Sequence, residues 1–331
     1  MKKTLILHHS ADLDGILSGV IANYYHSHRK DDDNDIIVHH GADYGDNLDI
    51  HYKLPNGEYI PLSYFDEIYV LDFSDKWLFE SEHSNKIIWI DHHIHAINDR
   101  AKNQYRLKDH YLINGVAACR LVQQYMTNLN NAFLDAQSYI NREVTEPFMV
   151  TLAGEYDIWD RKSMFAIPFN FGVCCNLSFD YVDFLYRETK SILSPYKEKS
   201  KEIDEELLIN PNPRLKFIIE CGKAVVDNIQ RTSSILGGGV PIEINGMRGR
   251  AFNTHIRSSL IHILQGDDKF IMVWNYTGSS RIKCSFYCDE ETDASVIARY
   301  FGGGGHVCAC GCQIDIHTLT HILTKPYVFI Q

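Results

Sequence analysis

The stretch Leu5–Gly19, LILHHSADLDGILSG, begins as an apolar run, breaks into polar residues and resumes with a helical pattern. Three polar side chains, His8, Asp12 and Asp14, lie at the break in an H-x3-D-x-D spacing. A buried strand that ends in such a cluster, with a helix behind it, is typical of an α/β site at the carboxyl edge of a sheet. Two carboxylates and an imidazole this close together favour a metal ion as counter-charge, and the alternative is an ordinary polar loop.

Two later segments repeat this design. Glu67–Phe73 (EIYVLDF) predicts a buried strand that leads into Asp72, and Lys86–His93 (KIIWIDHH) predicts another that ends in D-H-H. Apolar strands that alternate with helical segments predict a mostly parallel sheet with helices on both faces. Because open α/β sheets bind ligands at the carboxyl ends of their strands, we expect these polar residues to form one site.

The length of 331 residues suits two domains. We expect an α/β protein with a parallel-sheet catalytic domain over 1–193, a helical connector over 194–235 and a smaller α+β substrate-binding domain over 236–331. No apolar run reaches membrane-spanning length, and the first one ends too early for a signal peptide, so we expect a cytoplasmic protein without a membrane partner. Nine cysteines without C-x-x-C pairs favour reduced thiols.

The charge balance bears on the substrate. The formal net charge is −11, from 43 acidic and 32 basic residues, and the chain from Leu236 onward carries eight of each sign. A protein that grips a long polyanion usually has a basic surplus. The acidic balance therefore favours a small phosphorylated substrate, or metal ions that supply positive charge locally, over a long nucleic acid.

The candidate metal ligands are acidic and imidazole side chains spread over the first half of the chain: His8, Asp12, Asp14, Asp72, His92 and Asp157. Asp157 lies in EYDIWD, where a helix cap or a turn is the alternative interpretation. Oxygen and imidazole ligands without thiolate suit Mn²⁺ or Mg²⁺ better than a structural zinc ion. The set exceeds the share of one octahedral ion, which favours two divalent ions bridged by a carboxylate.

Five elements in order carry a family resemblance: H-x3-D-x-D, the strand-end Asp72, D-H-H at 91–93, the later Asp157 and GGGGH at 302–306. Together they resemble the DHH phosphoesterase superfamily with its DHH-associated C-terminal domain, over nearly the whole chain. The stretches YGDNLD and VLDFS also resemble a branch associated with phages and bacteria. The superfamily includes nano-RNA and cyclic-dinucleotide phosphodiesterases, single-strand exonucleases and manganese pyrophosphatases, so the resemblance implies a two-metal phosphoesterase.

The resemblance also implies a role for each matching residue. The implied ligands form two groups around a bridging carboxylate: His8 and Asp12 for one ion, Asp14, His92 and Asp157 for the other, and Asp72 between them. Asp91 would orient a neighbouring histidine, and His93 would face the substrate phosphate. A water shared by both ions would be the nucleophile.

The resemblance places substrate binding in the second domain. The implied residues are Gly303, Gly304, Gly305, His306, Arg281, Lys283 and Ser285. Glycines let backbone amides approach a phosphate, and the alternative for this loop is a flexible hinge. Tyr287 stands where relatives commonly carry an arginine, and it either stacks on a base or packs in the core. Cys308, Cys310 and Cys312 alternate, and we interpret them as small packing residues that share one strand face.

The preferred function is hydrolysis of short oligonucleotides or cyclic (di)nucleotides to nucleoside monophosphates, at a site expected between the two domains. The alternatives are a single-strand exonuclease, a phosphomonoesterase or pyrophosphatase, and an inactive nucleotide-binding module. The acidic balance disfavours the first, the GGGGH domain disfavours a pyrophosphatase, and the complete ligand set disfavours the third. A homodimer is left open.

Overall fold

The computed structural model describes residues 1–28, 35–44, 46–54, 56–127, 143–160, 162–175, 191–209, 212–235, 239–254, 267–276, 281–288, 292–305 and 307–324. The chain forms two compact units, Met1–Gly222 and Lys223–Gln331. The division falls inside the stretch expected to be a helical connector, 194–235.

The first unit is built on five parallel strands: β1 (Lys3–His9), β2 (Ile36–Ala42), β5 (Glu67–Leu71), β6 (Ile87–Asp91) and β7 (Asp109–Leu112). They lie side by side in the order β2-β1-β5-β6-β7. Two short antiparallel pairs accompany this sheet: β3 (Tyr52–Lys53) with β4 (Tyr59–Ile60), and β8 (Glu143–Pro147) with β9 (Ser191–Pro195). The predicted parallel sheet is therefore confirmed.

The described helices of the first unit follow its strands. They are α1 (Leu13–His28), α2 (Lys76–Glu80), α3 (Ile94–Asn103), α4 (Ala118–Met126), α5 (Phe148–Asp157), α6 (Ala166–Cys174) and α7 (Tyr196–Ile209), and α8 (Pro213–Ile235) begins in this unit. The helical pattern recognised near 131–139 lies outside the described residues.

Both faces of the five-stranded sheet are covered, which explains why its central strands are continuous apolar runs. On one face, Ile6 belongs to a core that includes α1, α4, α5 and α6. On the other face, Leu5 and Leu7 belong to a second core with Trp89 and Phe73. The alternation along β1 assigns each of its residues to one face, and this fixes where its two terminal histidines point.

The second unit contains a six-stranded mixed sheet: β10 (Val240–Ile244), β11 (Met247–Asn253), β12 (Phe270–Tyr276), β13 (Ile282–Cys288), β14 (Gly304–Gly305) and β15 (Ala309–Ile314). Its order is β10-β11-β12-β13-β15-β14, and only β11 and β12 pair in parallel. Two helices, α9 (Ser295–Tyr300) and α10 (Ile316–Thr324), contribute Ile297 and Leu319 to a core on one sheet face. This arrangement confirms the predicted α+β domain.

None of the helices in the described part of the chain combines the length and the apolar character needed to cross a bilayer.

Candidate metal centre

The central strands of the first sheet bring their polar ends to one edge. Because β1, β5 and β6 are adjacent and parallel, the residues that follow them are neighbours in space. Eight side chains meet there in three overlapping groups, and within each group the candidate ligand atoms lie within 4.8 Å of one another. The groups are His9, Asp12 and Asp72; Asp14, His92 and Asp157; and Asp72, Asp91, His92 and His93. We call this set the carboxylate cluster.

The first group lies at the junction of β1 and α1. His9 Nδ1 is 3.2 Å from Asp12 Oδ2 and 3.7 Å from Asp72 Oδ2. The other oxygen of Asp12 accepts a hydrogen bond of 3.0 Å from the Gly15 amide in the first turn of α1. Burial disfavours a charged imidazole, but the Asp12 and Asp72 carboxylates outweigh it and raise the pKa of His9 to about 11. The group is therefore held in place by the start of the helix.

The second group joins elements that are far apart in sequence. His92 Nε2 lies 3.2 Å from Asp157 Oδ2 and 3.6 Å from Asp14 Oδ2. The two oxygens of Asp14 accept hydrogen bonds of 2.8 Å from the amides of Ala118 and Cys119, at the start of α4. The positive end of the α4 dipole thus helps to keep this buried carboxylate in place.

Asp72 lies between the two groups. Its Oδ2 is the oxygen near His9, and its Oδ1 is 3.4 Å from His92 Nε2. It has a left-handed backbone, with φ of 62°, although it is not a glycine. Such conformations are uncommon outside glycine, asparagine and aspartate, and they concentrate at functional sites. One carboxylate is therefore placed to serve both groups, at some cost in backbone energy.

Asp91 organises the D-H-H segment. Its Oδ1 accepts hydrogen bonds from His93 Nδ1 at 2.7 Å, from the His92 amide at 2.7 Å and from the His93 amide at 3.0 Å. Burial opposes ionisation of Asp91, yet its bonds to His93 lower its pKa to about 2. Burial likewise opposes the charge on His93, and Asp91 raises the pKa of His93 to about 9. Asp91 therefore orients His93 and keeps it protonated at neutral pH.

In the part of the chain that the structure describes, the cluster holds more carboxylates than imidazoles, five against three. Burial, together with the charges of Asp14 and Asp12, raises the pKa of Asp72 well above its ordinary value, and burial with Asp14 and Asp72 does the same for Asp157. Among the described residues, Asp72 Oδ1 and Asp157 Oδ2 are buried without a hydrogen-bond partner. Buried polar atoms rarely lack a partner without a reason.

These donor atoms fit divalent metal ions. Five carboxylates and three imidazoles suit Mn²⁺ or Mg²⁺, which prefer oxygen ligands and accept imidazole. Asp72 belongs to the first group, and its Oδ1 lies 3.4 Å from His92 of the second, which is the layout expected for two ions bridged by one carboxylate. The oxygens without partners are then the atoms that an ion would satisfy.

His8 needs correction, because the structure places His9 rather than His8 in the cluster. His8 shares the α1 face of the sheet with Ile6, where its ring stacks on His39 with centroids 4.4 Å apart and its Nδ1 lies 2.8 Å from the His9 carbonyl oxygen. Its ring also packs so closely on Gly19 that a Cβ there would lie 2.5 Å from it. The alternation of β1 turns adjacent residues to opposite faces. The residues of this segment that meet in the cluster therefore have the spacing H-x2-D-x-D, not the expected H-x3-D-x-D.

The other predicted residues of the first unit all lie in the cluster: Asp12, Asp14, Asp72, Asp91, His92, His93 and Asp157. The sequence analysis missed three neighbours, His9, Asp43 and Tyr44. Asp43 Oδ1 lies 3.2 Å from His9 Nε2, and the Tyr44 ring stands edge-on to the His9 ring at 5.4 Å. The stretch YGDNLD, which begins at Tyr44 and resembles a family branch, was the available signal for this loop.

The residues predicted to bind substrate lie in the second unit. Gly304 and Gly305 form β14 and pair with Gly311 and Cys310 of β15, and Gly303 packs so tightly on Gly311 that a Cβ would lie 2.0 Å from its carbonyl oxygen. The glycine run is therefore partly a sheet edge in this structure. His306 lies outside the described residues.

The β13 residues of the predicted set share one face of the second sheet. Lys283 is exposed and Ser285 half-buried, and Arg281 precedes the strand in an exposed position. Tyr287 is buried, at 8% exposure. Cys310 and Cys312 share the opposite, core face with Cys284, as small packing residues would, and the partly buried Cys308 packs against the same core. The substrate-binding roles of this set stay predictions.

Comparisons with known proteins add distant likenesses in fold. No family model matches the chain, and no curated protein matches it either. Among solved structures, the chain is similar to an exopolyphosphatase-related protein from Bacteroides fragilis, with 14% identity and a TM-score of 0.42 over 97% of this chain and 90% of that one. It is similar to the pGpG-specific phosphodiesterase PggH from Vibrio cholerae, with 14% identity and a TM-score of 0.44 over 97% and 96% of the two chains.

A third likeness is to RecJ in complex with Mn²⁺ from Thermus thermophilus, with 11% identity and a TM-score of 0.45. It covers 97% of this chain and 51% of RecJ. At these identities and scores the likenesses carry no argument about function, which has to come from the carboxylate cluster itself.

Proposed function

We propose that the chain is a metal-dependent phosphodiesterase that hydrolyses short oligonucleotides or cyclic (di)nucleotides to nucleoside monophosphates. The observation that carries this proposal is the carboxylate cluster, with its two groups joined by Asp72 and its buried oxygens that lack a protein partner. A cluster built only for stability would pair its carboxylates with lysine or arginine. This one leaves buried carboxylate oxygens of Asp72 and Asp157 without a hydrogen-bond partner among the described residues.

Two divalent ions would be held by His9 and Asp12 on one side and by Asp14, His92 and Asp157 on the other, with Asp72 shared. When bound, such ions supply a nucleophilic water at neutral pH and positive charge at the phosphoryl oxygens. The positive charge would also help to bind a nucleotide phosphate, but a nucleophilic water serves only in-line attack at phosphorus.

Two further residues of the cluster would act on the substrate: His93 would donate a hydrogen bond to it, and Asp91 would orient His93. His93, protonated through Asp91, can donate a hydrogen bond from Nε2 to a phosphoryl oxygen, because its Nδ1 is already engaged by Asp91. Asp91 keeps the ring in that orientation, with its Oδ1 also fixed by two backbone amides. Substrate would thus meet a preformed donor beside the ions.

The acidic composition supports small substrates over long ones. The first unit carries the acidic excess and also the carboxylate cluster, so a long polyanion would meet repulsion beyond its scissile phosphate. A dinucleotide or cyclic dinucleotide brings few further charges. The balance of charge therefore supports a short substrate over the exonuclease alternative.

The test is product analysis with Mn²⁺ and separately with Mg²⁺. The substrates are pApA, a five-nucleotide RNA, cyclic di-AMP, a long single-stranded DNA and pyrophosphate. The Asp72→Asn variant serves as the inactive control, since asparagine tolerates the left-handed backbone at this position.

We expect rapid release of nucleoside monophosphate from pApA or cyclic di-AMP, and its loss in the variant. Preference for the long DNA would overturn the proposed substrate class and favour the exonuclease alternative. Preference for pyrophosphate would favour the pyrophosphatase alternative. No turnover of any substrate, with fewer than two metal ions bound per chain, would overturn the enzymatic proposal and favour a binding module.

A further inference from the structure

Tyr44 is a half-exposed aromatic residue beside the carboxylate cluster. Tyr44 is 49% exposed, whereas Phe73, whose ring it contacts, is 2% exposed. The Tyr44 ring stands edge-on to His9 at 5.4 Å and perpendicular to Phe73 at 6.5 Å. About half of the Tyr44 surface is therefore covered by the protein, and the rest is open to solvent next to the cluster.

Tyr44 continues into an arc of rings that borders the cluster. His95 lies 6.5 Å from Tyr44, and His93 lies 5.2 Å from His95, measured between ring centroids. The arc thus consists of His9, Tyr44, His95 and His93, and its two end members touch Asp72 at 3.7 and 3.9 Å. A group bound at the cluster would have planar surfaces within reach on this side.

Hydrogen bonds hold the tyrosine in this position. The Tyr44 amide donates to Asp43 Oδ1 at 2.8 Å, and the Asp43 amide donates to Asp46 Oδ2 at the same distance. Asp43 Oδ1 also lies 3.2 Å from His9 Nε2, which ties the loop to a residue of the cluster. A single exposed aromatic residue is ordinary on a protein surface. Tyr44 differs from such a residue because hydrogen bonds of its loop hold it beside the cluster, where its ring can stack on a bound group.

We propose that Tyr44, with His95 beside it, stacks on the nucleobase of the substrate and so selects phosphoesters that carry a planar base. This inference rests on the proposed function for the phosphate side of the site. Base stacking tolerates different bases and does not require a positively charged groove. It therefore suits an acidic protein, and it would separate nucleotides from pyrophosphate or polyphosphate, which have no ring to stack.

The test compares two ligands that differ only in the base. Binding of AMP and of ribose 5-phosphate to the full chain is measured by titration calorimetry with Mn²⁺ present, so that the readout does not depend on turnover. The variants are Tyr44→Leu, which removes the ring, and Tyr44→Phe, which keeps it. Tyr59→Leu is the matched control, because Tyr59 is a tyrosine of the same unit that is 61% exposed.

Stacking on one base is worth roughly a 5- to 140-fold difference in affinity, from about 1–3 kcal/mol. We expect the wild-type chain, Tyr44→Phe and Tyr59→Leu to prefer AMP over ribose 5-phosphate by a factor in this range. In Tyr44→Leu the preference should fall to less than about threefold, while the affinity for ribose 5-phosphate stays the same. A smaller loss is expected for His95→Ala.

Equal preference in the wild type and Tyr44→Leu would overturn the inference, as would equal loss of both ligands or no binding of either. The hydrolysis assay gives an independent result. A chain that hydrolyses none of the phosphoesters but shows the Tyr44-dependent preference would keep the base-binding surface and lose the proposed activity. If Tyr44→Leu hydrolyses dinucleotides as well as the wild type does, the proposed activity stands and the base-stacking inference is overturned.

Discussion

The two ends of strand β5 each place a carboxylate in the protein interior, and the two carboxylates have neighbours of different charge. Glu67, at the amino end, is 3% exposed and forms ion pairs with Lys108 and, at 2.8 Å, with Lys2. Asp72, just past the carboxyl end, is 1% exposed and has carboxylates and histidines around it. Burial opposes ionisation at both, but the lysines lower the pKa of Glu67, whereas neighbouring carboxylates raise that of Asp72.

The difference shows that the fold can neutralise a buried carboxylate when stability is the only requirement. Lys2 and Lys108 reach Glu67 from the surface, with nearly half of each side chain still exposed. At the other end, the cationic groups found beside Asp72 among the described residues are the imidazoles of His9, His92 and His93, which are also potential metal ligands. The unbalanced charge at the carboxyl end is therefore best explained as a binding site for cations.

The largest expected contrast is in activity. Asp72→Asn removes the carboxylate shared by both groups and should lower kcat by more than about 100-fold, beyond the 10- to 100-fold typical of residues that only orient a metal ligand. Glu67→Gln makes the same chemical change at the other end and should leave kcat within about threefold. Steady-state kinetics on pApA with Mn²⁺ measure both. Similar losses in the two variants would remove the functional meaning of the comparison.

The stability that metal ions add to the folded protein should depend on Asp72 and not on Glu67. At a free Mn²⁺ concentration 100 times its dissociation constant, binding to the folded state adds about 2.7 kcal/mol to the free energy of unfolding. We expect this gain in the wild type and in Glu67→Gln, and most of it should be absent in Asp72→Asn. Thermal unfolding with Mn²⁺ and with a chelator measures the difference.

In the chelator, Asp72→Asn should be at least as stable as the wild type, because the substitution removes one of several mutually repelling buried charges. A variant that is much less stable in the chelator would show instead that Asp72 has a structural role. The metal-dependent difference in melting temperature would then no longer report on cation binding.

The smallest effect is expected on stability at the amino end. Glu67→Gln should lower the free energy of unfolding by about 2 kcal/mol at pH 7, since it removes a charge-assisted hydrogen bond from Lys108 and an ion pair with Lys2. The folded-state pKa of Glu67 lies below its ordinary value of 4.5. The stabilisation from Glu67 is therefore complete above pH 4.5 and is lost as the pH falls from 4.5 through the folded-state pKa. In this range the unfolded chain binds a proton at Glu67 that the folded chain does not yet bind.

Urea unfolding between pH 7 and pH 3 measures this dependence, with Glu82→Gln as a control, because the Glu82 side chain is 88% exposed. The difference between wild type and Glu67→Gln should shrink on acidification, whereas Glu82→Gln should follow the wild type throughout. A difference that stays constant with pH would mean that packing, not the ion pairs, accounts for the loss.

Much of the cluster could be predicted because strand-end positions are visible in the sequence. Apolar runs mark β1, β5 and β6, and a parallel sheet places whatever follows them at one edge. This logic predicts that Asp72 and the D-H-H segment lie at one edge, where the structure brings them within 4.8 Å of one another. It could not choose between His8 and His9, because the choice depends on where β1 ends relative to α1, and a shift of one residue exchanges the two faces.

Other features depend on contacts that no local pattern encodes. The left-handed backbone of Asp72 follows from the turn between β5 and the next segment, and the sequence VLDFS contains no glycine to announce it. Asp43 and Tyr44 reach the cluster because β2 is the neighbour of β1. Strand order of this kind becomes visible only when the sheet is assembled.

Because Asp14 accepts two hydrogen bonds from α4, hydrogen exchange of the donor amides can report on the state of the carboxylate cluster. The amide protons of Ala118 and Cys119 are donated directly to a carboxylate of the cluster, 104 and 105 residues away in sequence. For these protons to exchange with deuterated solvent, their hydrogen bonds to Asp14 must first break. The protection of two backbone amides on a helix that contributes no ligand would thus report, at single-residue resolution, how firmly the centre is assembled.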